Sequence, residues 1–272
     1  MPPKKKKPIK RTKAKQPLAD PISLVLYGPS GNGKTSLAGN FPACKFLIDS
    51  QEKGITFLSR RGLIPDPVSI QAFDVDSPKS WDRLLEEIYA TVTCNETQTL
   101  VLESLTGIEN ICFLEHCEAK FNGNFLGIEG GGGFFEYARG PKQAARLSIP
   151  KLLSALDAVL ESGKNVIVTA HSQNKEETDP QGTKCLKYVP YCDKDTWARI
   201  HRWASGVFFL GRRVQEDKQK KGLKSVAKED FDRILFTEGT PYCDAKNWFG
   251  IHGVVPMGSS GEEAYNNLME KF

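Results

Sequence analysis

The chain has 272 residues, 39% of them hydrophobic and 26% charged, which is ordinary for a globular protein. No apolar run approaches the ~20 residues of a membrane helix, and the Lys-rich start lacks the apolar segment of a secretory signal. The seven cysteines are scattered, without CxxC pairs or zinc-like spacing, which argues against a disulfide framework or a zinc site. We therefore expect a cytoplasmic protein without a membrane partner.

The net charge of +4 depends on the N-terminal segment. Residues 1–15 contain eight basic and no acidic residues, and the rest of the chain has 29 basic against 33 acidic residues. This composition predicts a disordered basic tail over residues 1–20. Such a tail can contact nucleic acid through counterion release, act as a solubilising arm, or serve as a nuclear-import signal.

Residues 21–255 alternate between short apolar runs and amphipathic segments. Strands are predicted over 22–27, 45–49, 68–75, 99–102, 165–170, 207–210 and 233–236. Helices are predicted over 34–40, 77–92, 108–120, 150–163 and 262–272, the last within a C-terminal tail, 256–272. This order predicts an α/β fold with a mostly parallel sheet flanked by helices and a C-terminal antiparallel hairpin. Loops are expected at the glycine-rich residues 122–133, at 172–193, and at the basic stretch 212–228.

The strongest motif follows the first predicted strand and opens the first helix. It comprises Gly28, Pro29, Ser30, Gly31, Asn32, Gly33, Lys34 and Thr35, followed by Ser36, and fits G-x-x-x-x-G-K-[ST] at every fixed position. Glycines let the backbone N–H groups surround phosphates, and the helix N-terminus adds its dipole. Lys34 is expected to neutralise the β- and γ-phosphates, and the Thr35 hydroxyl to ligate Mg²⁺. The motif therefore predicts binding of ATP or a related triphosphate with Mg²⁺.

Polar residues at the ends of three other strands complete a candidate site. Glu103 ends the 99–102 strand, where an acid can hold Mg²⁺, directly or through water. After the second strand, Glu52 is the first candidate to orient or deprotonate water, and Gln51 is the second. His171 ends the 165–170 strand, where a polar residue can sense the γ-phosphate.

With these segments in order, residues 22–255 resemble the RecA-like P-loop ATPases, a superfamily related to AAA ATPases. The similarity is greatest to phage nucleotide-binding proteins that act as small recombinases with single-strand DNA-binding protein. If the protein is encoded by a phage, this resemblance implies that it acts in the cytoplasm of the bacterial host. It depends on the P-loop, Ile-Asp-Ser-Gln-Glu-Lys-Gly, Leu-Val-Leu-Glu-Ser, Val-Ile-Val-Thr-Ala-His and Asp-Ala-Lys-Asn-Trp-Phe-Gly, in that order.

The resemblance implies specific roles for these residues. In this family a Glu after the second strand activates water, and in this chain either Gln51 or Glu52 occupies that position. His171 corresponds to the residue that couples the γ-phosphate to DNA binding. Lys246 reaches a neighbouring subunit's γ-phosphate, which implies a homo-oligomeric ring or filament. This chain has Trp248 where relatives often have a second basic residue, and Glu103 where most have Asp. Both departures are expected to make hydrolysis slow.

The resemblance also places loops 122–140 and 172–193 against single-stranded DNA. Within these loops, Arg139, Lys184, Lys187 and Tyr188 are the predicted DNA contacts, and Phe134 is one of several aromatic residues beside them. The alternative is that both are ordinary loops whose aromatic residues belong to the core.

Several functions are compatible with this sequence. The first is an ATPase of DNA recombination, annealing or repair that single-stranded DNA stimulates. The alternatives are a nucleotide-gated DNA-binding assembly protein with little turnover, a helicase or helicase-loader motor, and, less favoured, a P-loop small-molecule kinase. No base-reading motif distinguishes ATP from GTP.

Overall fold

The computed structural model describes residues 20–126, 132–178, 182, 184–212 and 233–272. Within these residues the strands are β1 (Ser23–Gly28), β2 (Cys44–Asp49), β3 (Ser69–Phe73), β4 (Thr99–Glu103), β5 (Asn165–Thr178), β6 (Lys184–Pro190), β7 (Gly206–Arg212), β8 (Arg233–Phe236), β9 (Lys246–Asn247) and β10 (Val254–Pro256). The helices are α1 (Lys34–Ala38), α2 (Gly54–Arg60), α3 (Ser80–Thr93), α4 (Leu105–Phe121), α5 (Arg139–Leu147), α6 (Ile149–Glu161), α7 (Lys194–Trp203) and α8 (Gly261–Met269). The predicted basic tail up to residue 19, residues 127–131 of the glycine-rich loop and residues 213–228 of the basic stretch lie outside the described residues.

The sheet is mixed but mostly parallel, as the alternation of strands and helices predicted. Its strand order is β10-β8-β7-β1-β5-β4-β2-β3, and every neighbouring pair from β7 to β3 is parallel. The pairs β7–β8 and β8–β10 are antiparallel and form the predicted C-terminal extension. Because parallel strands end at the same edge, this order brings the ends of β1, β2, β4 and β5 together.

Side chains of the central strands alternate between two hydrophobic layers. In β1, Val25 and Tyr27 face the layer covered by α3–α7, whereas Leu24 and Leu26 face the layer covered by α1, α2 and α8. All four of these side chains are fully buried. The C-terminal segment belongs to the second layer, because Tyr265 of α8 packs edge-on against Phe41 at 5.0 Å. Among the described helices, none combines the length and apolarity needed to cross a bilayer.

The predicted loop over 172–193 is wrong, because β5 continues to Thr178 and pairs with β6 in an antiparallel hairpin. Seven residue pairs align, from Ser172 opposite Pro190 to Thr178 opposite Lys184. Much of this ribbon is exposed on both faces, so it lacks the apolar alternation by which strands are predicted. Cross-strand charge supports it instead, including Lys184 with Glu176 at 2.5 Å.

The second half of the predicted loop 122–140 also differs. Phe134, expected beside DNA, is fully buried among other aromatic rings, with Phe113 at 5.3 Å and Phe121 at 5.5 Å. The chain then turns through a 3₁₀ segment into α5, which the sequence analysis did not predict. The buried face of α5 is made of small residues, including Ala144 and Ala145, so its sequence lacks the repeat of large apolar residues by which a helix is predicted.

Candidate nucleotide site

The loop from Gly28 to Thr35 connects β1 to α1, and its backbone carbonyls hold the Lys34 side chain. The Lys34 ammonium donates to the carbonyl oxygens of Gly28 at 2.7 Å and Pro29 at 3.1 Å. Its side chain is buried, and burial lowers the pKa of Lys34 below its ordinary value. The ammonium is therefore held inside the concave loop, next to the N-terminus of α1, where anionic phosphates are favoured.

Glycine is required at both ends of this loop. A β-carbon on Gly28 would lie 2.4 Å from the carbonyl oxygen of Leu210, so the close approach of β7 excludes a side chain. Gly33 has a φ of 95°, in the left-handed region, at the N-terminal end of α1. Between them, the Asn32 amide donates to the same Leu210 oxygen at 3.0 Å and ties the loop to β7.

Glu103 lies next to the loop threonine, although its strand is separated from β1 by β5. The Thr35 hydroxyl donates to Oε1 of Glu103, and Oε2 is buried without a hydrogen-bond partner among the described residues. Burial raises the pKa of the Glu103 carboxyl to about 7. A buried carboxylate oxygen without a partner, beside a hydroxyl oxygen, suits a small hard cation, so these two residues fit Mg²⁺.

Glu52 and His171 form a second polar pair at the same edge of the sheet. His171 Nε2 and Glu52 Oε1 are 2.6 Å apart, and His171 pairs in register with Gly28 of the P-loop. The hydrogen bond from His171 lowers the pKa of Glu52, and the Lys34 charge adds to this effect. Glu52 is therefore a carboxylate at neutral pH, held near the Lys34 ammonium.

A tight turn at the end of β2 selects Glu52 over its neighbour. The Asp49 carboxylate accepts from the Gln51 amide N–H at 2.7 Å, and the Asp49 carbonyl accepts from the Glu52 N–H at 2.9 Å. In this turn Gln51 is exposed, whereas the Glu52 side chain is 27% exposed and faces His171. The structure thus joins Glu52, and not Gln51, to the other polar residues of the site.

Arg233 is a further residue at the loop that the sequence analysis did not select. A β-carbon on Gly33 would lie 3.1 Å from Arg233 Nη1, and Nη2 donates to the Gly258 carbonyl at 3.1 Å. The guanidinium is therefore fixed beside the loop by β8 and the start of the C-terminal segment. Arg233 is about 200 residues from the P-loop along the sequence, so the contact could not be predicted; the β7–β8 and β8–β10 pairings bring the two together.

The structure places Lys246 away from this cluster. It pairs with Val207 at the start of β7, at the edge of the sheet opposite to the P-loop of the same chain. Its ammonium donates to three carbonyl oxygens at the end of α7, those of His201 (3.0 Å), Arg202 (3.0 Å) and Ala204 (2.6 Å). It also lies 3.8 Å from the centre of the Trp248 ring. Within its own chain, Lys246 caps a helix C-terminus.

The predicted DNA contacts on the β5–β6 hairpin are already engaged within the chain. Lys184 pairs with Glu176, and Lys187 contacts Asp244 at 2.6 Å and Glu177 at 3.5 Å. The Tyr188 ring stacks on Phe209 at 5.2 Å. Arg139 lies exposed at the start of α5 and, unlike the two lysines, has no ion pair with any described residue.

Comparison with known proteins identifies the family. A family model described as an AAA domain matches residues 20–249, which includes the P-loop, Glu52, Glu103 and His171. No curated protein is significantly similar to the chain. Because the family model covers most of the sequence, the chain belongs to the AAA-domain family of nucleotide-binding P-loop ATPases.

Proposed function

We propose that this protein is a Mg²⁺-dependent ATPase of the RecA-like type whose turnover is stimulated by single-stranded DNA. One observation carries the ATPase part of the proposal: the Thr35–Glu103 and Glu52–His171 pairs lie at the same edge of the sheet as the Lys34 loop. The first pair fits a metal, the loop fits phosphates, and the second pair supplies an ionised carboxylate that can hold water.

Each group has a distinct part in hydrolysis. Loop N–H groups and the Lys34 ammonium bind the phosphates, which requires Lys34 to exchange the carbonyls of Gly28 and Pro29 for phosphate oxygens. Thr35 and Glu103 would hold Mg²⁺, which supplies electrostatic stabilisation of the transferring phosphoryl group. Arg233, fixed beside Gly33, adds a second positive charge to the same region.

Glu52 orients the attacking water in this proposal. Its lowered pKa makes it a weak proton acceptor, so positioning of the water is its main contribution. His171 donates to one carboxylate oxygen and thereby fixes the direction in which the other points. His171 is thus a positioning residue that acts through Glu52.

The connection to DNA runs through β5. Residues 166–171 of β5 pair with β1 in the central sheet, and after His171 the same strand continues into the β5–β6 hairpin. A change in the Glu52–His171 hydrogen bond on hydrolysis therefore acts directly on the base of that hairpin. This supports coupling between the γ-phosphate and a DNA-binding surface in recombination, annealing or repair, alongside single-strand DNA-binding protein.

A homo-oligomer is part of the proposal, because Lys246 cannot reach the P-loop of its own chain from the opposite edge of the sheet. To contact a neighbour's γ-phosphate it must first leave three carbonyl oxygens of its own α7. This engagement favours a second candidate function, a nucleotide-gated DNA-binding assembly protein with little turnover.

Steady-state phosphate release, measured with and without poly-dT, separates these functions. The ATPase proposal expects Mg²⁺-dependent turnover that rises at least several-fold with poly-dT and is lost in Lys34→Ala. Nucleotide-dependent DNA binding without turnover would favour the assembly protein. No effect of DNA on turnover, and no effect of nucleotide on DNA binding, would refute the DNA part of both.

A further inference from the structure

A groove lined by several basic residues lies between α5 and α7. Its volume is about 790 Å³. The lining residues come from α5, α6 and α7 and include four cations: Lys142, Arg146, Arg199 and Arg202. Asp195 is the one acidic residue in the lining. The groove belongs neither to the nucleotide site nor to the β5–β6 hairpin.

The four cations are arranged as two facing rows. Lys142 and Arg146 are four residues apart on α5, and Arg199 and Arg202 are three apart on α7, so each pair lies on one helix face. Small residues, Ala145 and Ala198, are part of the lining and leave the space between the rows open.

None of these four cations has an ion-pair partner in the part of the chain that the structure describes. All four side chains are exposed. The contrast is with the hairpin, where Lys184 and Lys187 are neutralised by acidic residues. Four unpaired cations around one groove attract a polyanion, since each phosphate contact releases a counterion.

An aromatic ring is fixed in the same groove. Trp203 lines its end, and its indole N–H donates to the Asp157 carboxylate at 2.7 Å, which fixes the plane of the ring. The ring is partly exposed. A fixed indole beside unpaired cations is the combination that binds single strands, because a base stacks on the ring while phosphates pair with Arg or Lys.

We infer that the α5–α7 groove binds single-stranded DNA, with phosphates on the two rows of cations and a base on Trp203. This inference deepens the proposed function, on which its DNA specificity depends, and it adds a DNA-binding surface whose lining residues are separate from the β5–β6 hairpin. Its volume is within the range of pockets that hold a drug-sized ligand. A single strand is favoured over a duplex because it can place an unstacked base on the Trp203 ring.

The test is the binding of a fluorescein-labelled dT20 by anisotropy, with a duplex of equal length in parallel. The variant Arg146→Glu/Arg199→Glu reverses one charge in each row. The control, Arg60→Glu/Lys271→Glu, makes the same change in net charge at exposed positions on α2 and after α8, in the other helix layer. A milder variant, Arg146→Gln/Arg199→Gln, removes the two charges without reversing them. Circular dichroism of each variant checks that the fold is intact.

We expect the groove variant to bind dT20 at least tenfold more weakly, the Gln variant to be intermediate, and the control to stay within twofold of wild type. Loss of two phosphate contacts should also reduce the slope of log Kd against log salt by about 1.4. Equal weakening by groove variant and control, no weakening by either, or a loss of duplex binding alone would overturn the assignment while leaving the proposed ATPase intact. A wild-type protein that binds no dT20 would overturn both the groove and the DNA part of the proposed function, and phosphate release without DNA would still test the nucleotide part.

Discussion

The substitution Glu52→Gln separates water positioning from nucleotide binding. At neutral pH the Glu52 carboxylate is ionised, because the hydrogen bond from His171 lowers its pKa, so the substitution removes a charge and leaves the size unchanged. Loss of a group that positions or activates water typically costs about 10²- to 10⁴-fold in kcat. The phosphates are held by the loop and Lys34, so we expect the Kd for ATP to change less than threefold.

His171→Ala should have a smaller effect than Glu52→Gln. It removes one charge-assisted hydrogen bond of 2.6 Å between partly exposed groups, which contributes at most about 1.5–3 kcal/mol, or about 10- to 150-fold in rate. In a Glu52→Gln background the same change should cost little, because His171 acts through that carboxylate.

The matched control is Gln51→Ala, at the adjacent exposed position. It should change kcat less than threefold, measured by steady-state phosphate release, with Kd from a fluorescent ATP analogue. A loss of activity in Gln51→Ala that equals or exceeds that in Glu52→Gln would refute the assignment of the water-positioning role.

Three further predictions concern a phosphate contact, a buried carboxyl and a helix cap. Arg233→Ala should weaken the binding of ATP about tenfold in a fluorescence titration, since one charge beside the loop is lost; an unchanged Kd would place Arg233 outside the site. Burial raises the pKa of Glu109 to about 7 from 4.5, so wild type should lose unfolding free energy as pH rises through this window. The Glu109→Gln variant has no such titration, so its unfolding free energy relative to wild type, measured by urea denaturation, should rise by up to about 3 kcal/mol from pH 5 to pH 8. A difference between variant and wild type that stays constant with pH would contradict the assigned pKa. Lys246→Ala should lower the unfolding free energy by about 1–2 kcal/mol through loss of the α7 cap, whereas full stability with lost ATPase activity would indicate a role only at a subunit interface.

Much of the central sheet could be predicted because its strands are continuous apolar runs. Once these strands were predicted to be parallel, the P-loop and the polar residues after three other strands could be placed at one edge of the sheet, because parallel strands end at the same edge. His171 illustrates this: its position directly after the predicted strand 165–170 indicated a place beside the loop, and in the structure it lies in register opposite Gly28. The partner of His171 could not be predicted, because the Asp49 turn that directs Glu52 inward is a matter of local hydrogen bonds.

The parts that escaped prediction lack periodic apolar signals. The β5–β6 hairpin carries polar residues on both faces, and α5 buries alanines, so neither has the pattern that distinguishes a strand or an amphipathic helix from a loop. Arg233 and the α5–α7 groove were missed for another reason. Both depend on contacts between segments far apart in sequence, and charge on a helix face becomes a site only when a second helix faces it.

The most direct test of the account is the affinity for a fluorescent ATP analogue, with Mg²⁺ and with EDTA, in wild type, Lys34→Ala and the exposed-lysine control Lys79→Ala. The buried Lys34 ammonium and the Thr35–Glu103 pair predict Mg²⁺-dependent binding that falls at least tenfold in Lys34→Ala and stays within twofold in Lys79→Ala. Equal affinity in wild type and Lys34→Ala, or binding indifferent to Mg²⁺, would contradict the assignment of the Gly28–Thr35 loop as the triphosphate site.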